Sequence, residues 1–244
     1  MAIKIKNLTK KYNNLTAVDN LNLEIYQGEL FSLLGTNGAG KTTTIKMLSC
    51  LTRVTFGDAY VLGNSIVDNA NEVKKIIGIS PQETAIAPNL TVLENLQLMC
   101  GIYNFSKQKS LEKIQQLTND FSLNKVLNKR SNTLSGGYKR RLSLAMALIG
   151  EPKILFLDEP TLGLDVISRS ELWDTINSLK GKITIILTTH YMEEAEKLSS
   201  RVGIMDNGKL LKVGTVEEIV NSVNAKNLED AFIKIVKEKR VWDY

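Results

Sequence analysis

Gly35-Thr36-Asn37-Gly38-Ala39-Gly40-Lys41-Thr42 is the stretch on which the fold turns. It fits the spacing G-x-x-x-x-G-K-[ST] in full, follows the apolar run at 30–34 and precedes a helical stretch at 43–51. Glycines let the backbone wrap closely and turn its N–H groups toward an anion, and the N-terminus of the following helix adds positive potential. Lys41 brings a point charge to the β- and γ-phosphates of a nucleotide, and the Thr42 hydroxyl is a ligand for Mg2+. The residues placed to cradle phosphate are thus Asn37, Gly38, Ala39, Gly40, Lys41, Thr42 and Thr43. No Gly or Ala stands three residues beyond Gly40, which excludes the dinucleotide-binding fingerprint. The loop by itself says only that some nucleoside triphosphate is bound.

A second stretch sharpens this. Ile154-Leu155-Phe156-Leu157-Asp158-Glu159 is four apolar residues ending in two acids. A buried strand that delivers a carboxylate at its C-terminal end is how P-loop proteins hold Mg2+ opposite the threonine hydroxyl. Asp158 is the metal-side acid, and Glu159 is placed to polarise an attacking water as general base.

Short apolar and β-branched runs recur at 3–5, 21–25, 30–34, 76–79, 154–157, 183–187 and 202–205. Several are continuously apolar and flanked by helical patterns, as strands buried in a parallel sheet are. The last run leads into Asp206-Asn207-Gly208 and then 209–213, where the Asn-Gly pair signals a hairpin. Between 89 and 150 helical patterns replace strands. Thr91 with Glu94 three residues on reads as a capping box opening a helix through about Met99. Leu111, Ile114, Leu117 and Phe121 form one apolar stripe, and Leu142, Ala145, Met146 and Ile149 form another. The expectation is an α/β P-loop core with a mostly parallel sheet at 1–88 and 151–220, a helical subdomain inserted at 89–150, and a helical tail at 221–244. Leu228, Ala231, Phe232 and Ile235 give that tail its packing face. Trp173, on a helix at 170–179, reads as core, and Trp242 as an ordinary tail aromatic.

Composition excludes other classes. The 244 residues are 43% hydrophobic and 23% charged, ordinary for a globular protein and unlike a disordered one. The net charge of +5 is spread along the chain with no basic run interleaved with aromatics, so no nucleic acid is expected as a partner. Two cysteines, Cys50 and Cys100, and a single histidine leave no Cys/His metal set and point to a reducing compartment. No run reaches the about 18 apolar residues a transmembrane helix needs, so no membrane span is expected.

Between the two nucleotide motifs lies Leu134-Ser135-Gly136-Gly137-Tyr138-Lys139-Arg140-Arg141-Leu142. This resembles the LSGGQ signature of ABC ATPases, and the resemblance extends motif by motif over nearly the whole chain. Ser135 is expected to cap the helix that follows, with Gly136 and Gly137 exposing backbone N–H groups to an anion. The resemblance implies the ABC ATPase fold, with an antiparallel β subdomain at the N-terminus beside the P-loop core. It further implies that this glycine-rich helix end closes over the γ-phosphate held by a partner chain's P-loop. By the same resemblance Gln82 is the Q-loop glutamine at the Mg2+ and permease contact, and Tyr12, with Val18, lies against adenine. Leu164-Asp165 forms the D-loop at the dimer interface, and His190 is the switch histidine on the γ-phosphate. The implied catalytic set is Glu159, His190 and Lys41; the metal set is Thr42, Gln82 and Asp158; the cofactors are ATP and Mg2+.

Two positions depart from the family pattern: Thr36 stands where many relatives have Pro, and Tyr138 replaces the usual Gln. The wording Gly-Tyr-Lys-Arg-Arg-Leu at 137–142 and Thr-His-Tyr-Met-Glu-Glu-Ala-Glu at 189–196 is most similar to the drug and multidrug exporter branch. That similarity implies a separately encoded ABC-2-type permease as partner. It implies a second nucleotide-binding subunit, in a homo- or heterodimer, and a cytoplasmic position on the inner face of the membrane. A non-transport ABC ATPase, in iron–sulfur assembly or nucleic-acid maintenance, is the alternative the residues leave open.

Overall fold

In the computed structural model, which describes residues 1–241, the chain alternates strands and helices. In order these are β1 (Ile3–Tyr12), β2 (Leu15–Ile25), β3 (Leu30–Gly35), α1 (Lys41–Leu48), β4 (Phe56–Val61), β5 (Asn64–Ser65), α2 (Ala70–Ile76), β6 (Ile77–Ser80), α3 (Val92–Ile102), α4 (Lys107–Asp120), α5 (Gly136–Leu148) and β7 (Ile154–Asp158). There follow α6 (Val166–Leu179), β8 (Thr184–Thr189), α7 (Met192–Leu198), β9 (Arg201–Asp206), β10 (Lys209–Gly214), α8 (Val216–Ser222) and α9 (Leu228–Val241). Two compact units result, one formed by residues 1–74 with 180–241 and the other by 75–179.

The first unit holds an antiparallel sheet in the order β2-β1-β4-β5. β1 and β2 are much longer than the apolar runs at 3–5 and 21–25 suggest, because register shifts after Ile5, Leu8 and Lys10 break the inside-outside alternation. The same unit carries the strands β10-β9-β3-β8, with β3 parallel to both β8 and β9. β3 and β8 are buried along their whole lengths, as strands covered on both faces are. The turn at Asn207-Gly208 has positive φ at both residues (46° and 77°), the conformation that an Asn-Gly hairpin demands. Leu34, Val202 and Ile204 pack with Ala195, Ile219, Leu228, Ala231, Phe232 and Ile235, which places α7, α8 and α9 in one core. Each large side chain sealed there contributes about 1.5–3 kcal/mol. Trp242 lies outside the described residues.

The second unit pairs β6 with β7 in parallel, Ile77 opposite Ile154 through Ser80 opposite Leu157, with α5 packed against β6. The strand begins one residue later than the apolar run, since Ile76 closes α2. Trp173 is core, 3% exposed. Leu111 is a correction: it is 55% exposed, whereas Ile114, Leu117 and Phe121 are buried, so only the later part of the α4 stripe packs. Buried Asn95 organises the turn before α3. Its side-chain amide donates to the carbonyls of Ala87 and Thr91 and to the Ser131 hydroxyl, and its Oδ1 accepts from Ala87 N.

α3 opens on the expected capping box, although it runs on to Ile102. Thr91 Oγ1 accepts from Glu94 N, and Glu94 Oε2 accepts from Thr91 N at 2.7 Å. The Thr91 backbone N–H, followed by its hydroxyl, holds the Glu94 carboxyl below its ordinary pKa. A carboxylate depressed by folding stabilises above its unfolded pKa, and that contribution fades as pH falls through the folded value. Wild type is therefore expected to resist urea better than Glu94→Gln at neutral pH. The two unfolding midpoints should converge as pH drops below about 4.

Candidate functional site

The first unit builds the phosphate cradle. β3 ends at Gly35 and the chain turns into α1 through Gly38 (φ 83°) and Gly40 (φ 101°). A Cβ on Gly40 would stand 2.5 Å from Ala17 O and 3.3 Å from Val18 Cγ2, so glycine is demanded by close approach as well as by φ. Lys41 is 4% exposed, and its Nζ donates to Gly35 O at 2.8 Å and Thr36 O at 3.1 Å. The ammonium is thereby folded back over the loop, aimed before any anion arrives. Thr42 and Thr43 are half-buried in the first turn of α1, while Thr36, Asn37 and Gly38 are exposed. The loop is braced from a direction the sequence did not reveal: Gly208 N donates to Ala39 O, and Gly208 O accepts from Asp19 N. The Asn-Gly hairpin signal was legible, but its contact with the loop joins residues far apart in the chain.

His190, just past β8, lines an open cleft of about 290 Å3 with Gly35, Thr36, Asn37, Met192 and Phe232. Its ring lies 4.1 Å from that of Tyr191. Tyr12 is 43% exposed at the end of β1, with Lys10 Nζ 4.7 Å from its ring centroid. Val18 is completely buried beneath Gly40.

The second unit gathers the acids and the glycine-rich helix end. Asp158 closes β7, and Glu159 follows with φ 46°; both are buried. A non-glycine residue in the left-handed region costs about 1–3 kcal/mol and persists where the surroundings hold it. Gln82 is exposed and turns its amide N–H toward Glu159 Oε2, at 3.5 Å. Ser135 occupies the N-cap of α5 with extended backbone, but its hydroxyl makes no capping hydrogen bond, which corrects the expectation that it caps the helix. Ser135 and Gly136 are exposed; Gly137 is buried. A Cβ on Gly137 would come within 2.9 Å of Ser168 Oγ, and Ser168 is in turn fixed by Asp165, whose carboxylate accepts from Ser168 N and Oγ. Those two bonds hold the Asp165 carboxyl below its ordinary pKa. Tyr138 has Arg141 over its ring at 5.5 Å, and Arg141 also pairs with Glu171.

The residue that sequence reasoning missed is Arg140. It is 5% exposed and donates to the carbonyls of Pro81, Gln82 and Glu159. Only the run of basic letters after the signature marks it in the sequence. The two free cysteines have no part in this; burial pushes both thiols above their ordinary pKa.

The donor set suits the groups implied. A hard cation that keeps its waters takes a threonine hydroxyl, an aspartate and an amide oxygen, all present in Thr42, Asp158 and Gln82. A loop of N–H groups around a fixed ammonium suits phosphates, and these are the working parts of the P-loop nucleoside triphosphatases.

Within that class the chain belongs to the ABC transporter family, whose description matches residues 18–162. It is an ATP-binding cassette of that family. The chain is 39% identical over 247 residues to the probable multidrug ABC transporter ATP-binding protein YbhF of Escherichia coli (strain K12), covering 99% of this chain and 42% of that protein. The chain thus spans less than half the length of that relative. It is 37% identical over 228 residues to the daunorubicin/doxorubicin resistance ATP-binding protein DrrA of Streptomyces peucetius, covering 93% of this chain and 69% of that one. Among solved structures, an ATP-binding subunit of an ABC transporter matches with a TM-score of 0.86 at 26% identity, over 97% of this chain and 100% of that one. A dimeric ATP-binding cassette in a post-hydrolysis state, bound to ADP and Pi, matches with a TM-score of 0.79 at 28% identity, over 87% of this chain and 98% of that one. Among the described residues no helix is long and apolar enough to cross a membrane.

Proposed function

We propose that this cassette hydrolyses Mg-ATP between two copies, or between this chain and a similar subunit, and so drives a separate membrane permease of the ABC-2 type in export. The observation that carries the reading is the outer end of α5. Ser135 and Gly136 are exposed at a helix N-terminus whose hydroxyl is not spent on capping. Beside it on the same unit, Val166 and Ile167 are 78% and 72% exposed. Backbone N–H groups and a hydroxyl suit a terminal phosphate, and the apolar pair suits burial under a second copy. The names of the relatives are those of transporters, which weighs against iron–sulfur assembly or nucleic-acid maintenance.

In this reading Asn37 to Thr43 cradle the phosphates, Lys41 holds the β- and γ-oxygens, and Tyr12 and Val18 border adenine. Ser135, Gly136 and Gly137 of each copy complete the other's γ-phosphate shell. Thr42, Asp158 and Gln82 would hold Mg2+, which would supply positive charge to offset that of the phosphates. Glu159 takes a proton from the attacking water, and His190 donates to the γ-phosphate oxygens. Loss of that phosphate removes the anion holding the copies together, and they part; the helical stretch at 89–150, with Gln82, passes the motion to the permease. The cassette then works on the cytoplasmic face of the membrane through its partner.

Complementation between crippled copies tests this. Lys41→Ala removes the cradle's charge. Ser135→Asp suits the N-cap position of α5 but sets a carboxylate where the partner's γ-phosphate would dock. Each variant alone should be inactive. Mixed in equal amounts, half the dimers hold one intact site, so turnover should recover to about a quarter of wild type. No recovery, with Ser135→Asp still active alone, would place the whole site within one chain and end the proposal.

A further inference from the structure

We infer that Arg140 is a positioning residue for hydrolysis, tying the signature helix to the Gln82–Glu159 pair through three backbone carbonyls. The inference rests on the ATPase reading above and adds a residue to it.

The β6–β7 ladder pairs residues as far as Ser80 opposite Leu157. The next residue on β6's side is Pro81, which has no N–H with which to extend the ladder. Just beyond this point come the two side chains the chemistry needs, Gln82 and Glu159. Arg140 supplies the missing cross-link: Nη1 donates to Pro81 O at 2.8 Å, while Nη2 donates to Gln82 O at 2.8 Å and to Glu159 O at 3.3 Å. One planar guanidinium therefore fixes both loops at once, a geometry that the single ammonium of lysine cannot reproduce.

Glu159 is where such fixing matters. Its backbone is in the left-handed region, and Leu162 N also donates to its carbonyl, at 3.2 Å. A peptide held there against its preference sets where the carboxylate points, and a misplacement of about 1 Å costs as much as 100-fold in rate. Arg140 also sits four residues past Gly136, one turn into α5. When the end of that helix meets a phosphate, the displacement reaches Gln82 and Glu159 through the same guanidinium. The arginine thus makes the readiness of the base depend on the seating of the signature helix.

The test uses the purified full chain and its variants Arg140→Gln, Arg140→Lys, Gln82→Ala, Glu159→Gln and Gln82→Ala/Arg140→Gln, measured for Mg-ATP turnover, nucleotide affinity and thermal unfolding. Arg140→Gln should lose about 10- to 100-fold in kcat with KM within about threefold of wild type. Arg140→Lys should recover part of that loss. The double variant should be no slower than Arg140→Gln alone by more than about twofold, since both residues act through one carboxylate. A kcat above half of wild type in Arg140→Gln would overturn the inference. So would a fall in kcat matched by equal losses of affinity and thermal stability, with no recovery in Arg140→Lys. Should Arg140→Gln fail to fold, Arg140→Lys decides: lowered kcat at unchanged KM supports the role, and full kcat rejects it. Wild type as inactive as Glu159→Gln would instead sink the ATPase reading itself. Active wild type, inactive Glu159→Gln and fully active Arg140→Gln would remove Arg140 alone.

Discussion

Replacing Glu159 by Gln is expected to lower Mg-ATP turnover by about 100-fold or more, the usual contribution of a positioned general base. ATP affinity should stay within about threefold, because the cradle of residues 35–43 is untouched. Glutamine has the shape of glutamate and equal tolerance for the φ of 46° found here, so the backbone that carries the group is preserved. The residue is 7% exposed, and its carbonyl still accepts from Leu162 N and Arg140 Nη2 after the change. What is lost is the carboxylate's charge and one acceptor oxygen, and with them the group that can take up a proton. A trapped nucleotide then holds two copies together, and size-exclusion chromatography in ATP should show a dimer that ADP does not support. Phosphate release measured on both proteins decides the matter. A variant that turns over at the wild-type rate would remove Glu159 from the chemistry and pass the role of base to another group.

The parts of this molecule that the sequence makes legible are those whose physics is local. The spacing of Gly35, Gly40, Lys41 and Thr42 is dictated by one loop and one helix start, and the loop turns into α1 where that spacing puts it. The Asn207-Gly208 hairpin and the Thr91–Glu94 capping box are likewise decided within a few residues. Distant partners are a different matter. The three carbonyls under Arg140 come from positions 58, 59 and 19 residues away, and no spacing rule gathers them. Gly208 bracing Ala39 is of the same kind. Bulges hid most of β1 and β2, because each shift in register turns an inward position outward and erases the period-two pattern. Leu111 has the right spacing for a core stripe, yet it is 55% exposed while Ile114 and Leu117, further along α4, are buried. Ser135 has the right residue type for a cap and the right backbone, yet leaves its hydroxyl outside the helix. A position that breaks a local rule this way is where function is to be sought.

Lys41→Ala should weaken ATP binding by about 100-fold or more, or about 2.7 kcal/mol at 25 °C. Hydrogen bonds to a charged group contribute about 1.5–3 kcal/mol each. Here one ammonium holds the loop and, in the function proposed above, the nucleotide as well. Its Nζ bridges Gly35 O and Thr36 O, the first two carbonyls of the phosphate loop, from a position only 4% exposed. Alanine removes the charge that meets the phosphates. It also takes one donor from each of those carbonyls, Thr36 O keeping the bond from Ala39 N, so the loop's own shape loosens as its ligand's attraction falls. Lys41→Arg separates the two effects: it keeps the charge but carries a planar head too large for the space the ammonium occupies. If loop geometry matters as much as charge, Arg should bind ATP closer to Ala than to Lys. Fluorescent nucleotide titration of the three proteins measures this directly. Wild-type affinity in Lys41→Ala would mean that the loop holds phosphate by its backbone alone, and would take the lysine out of the site.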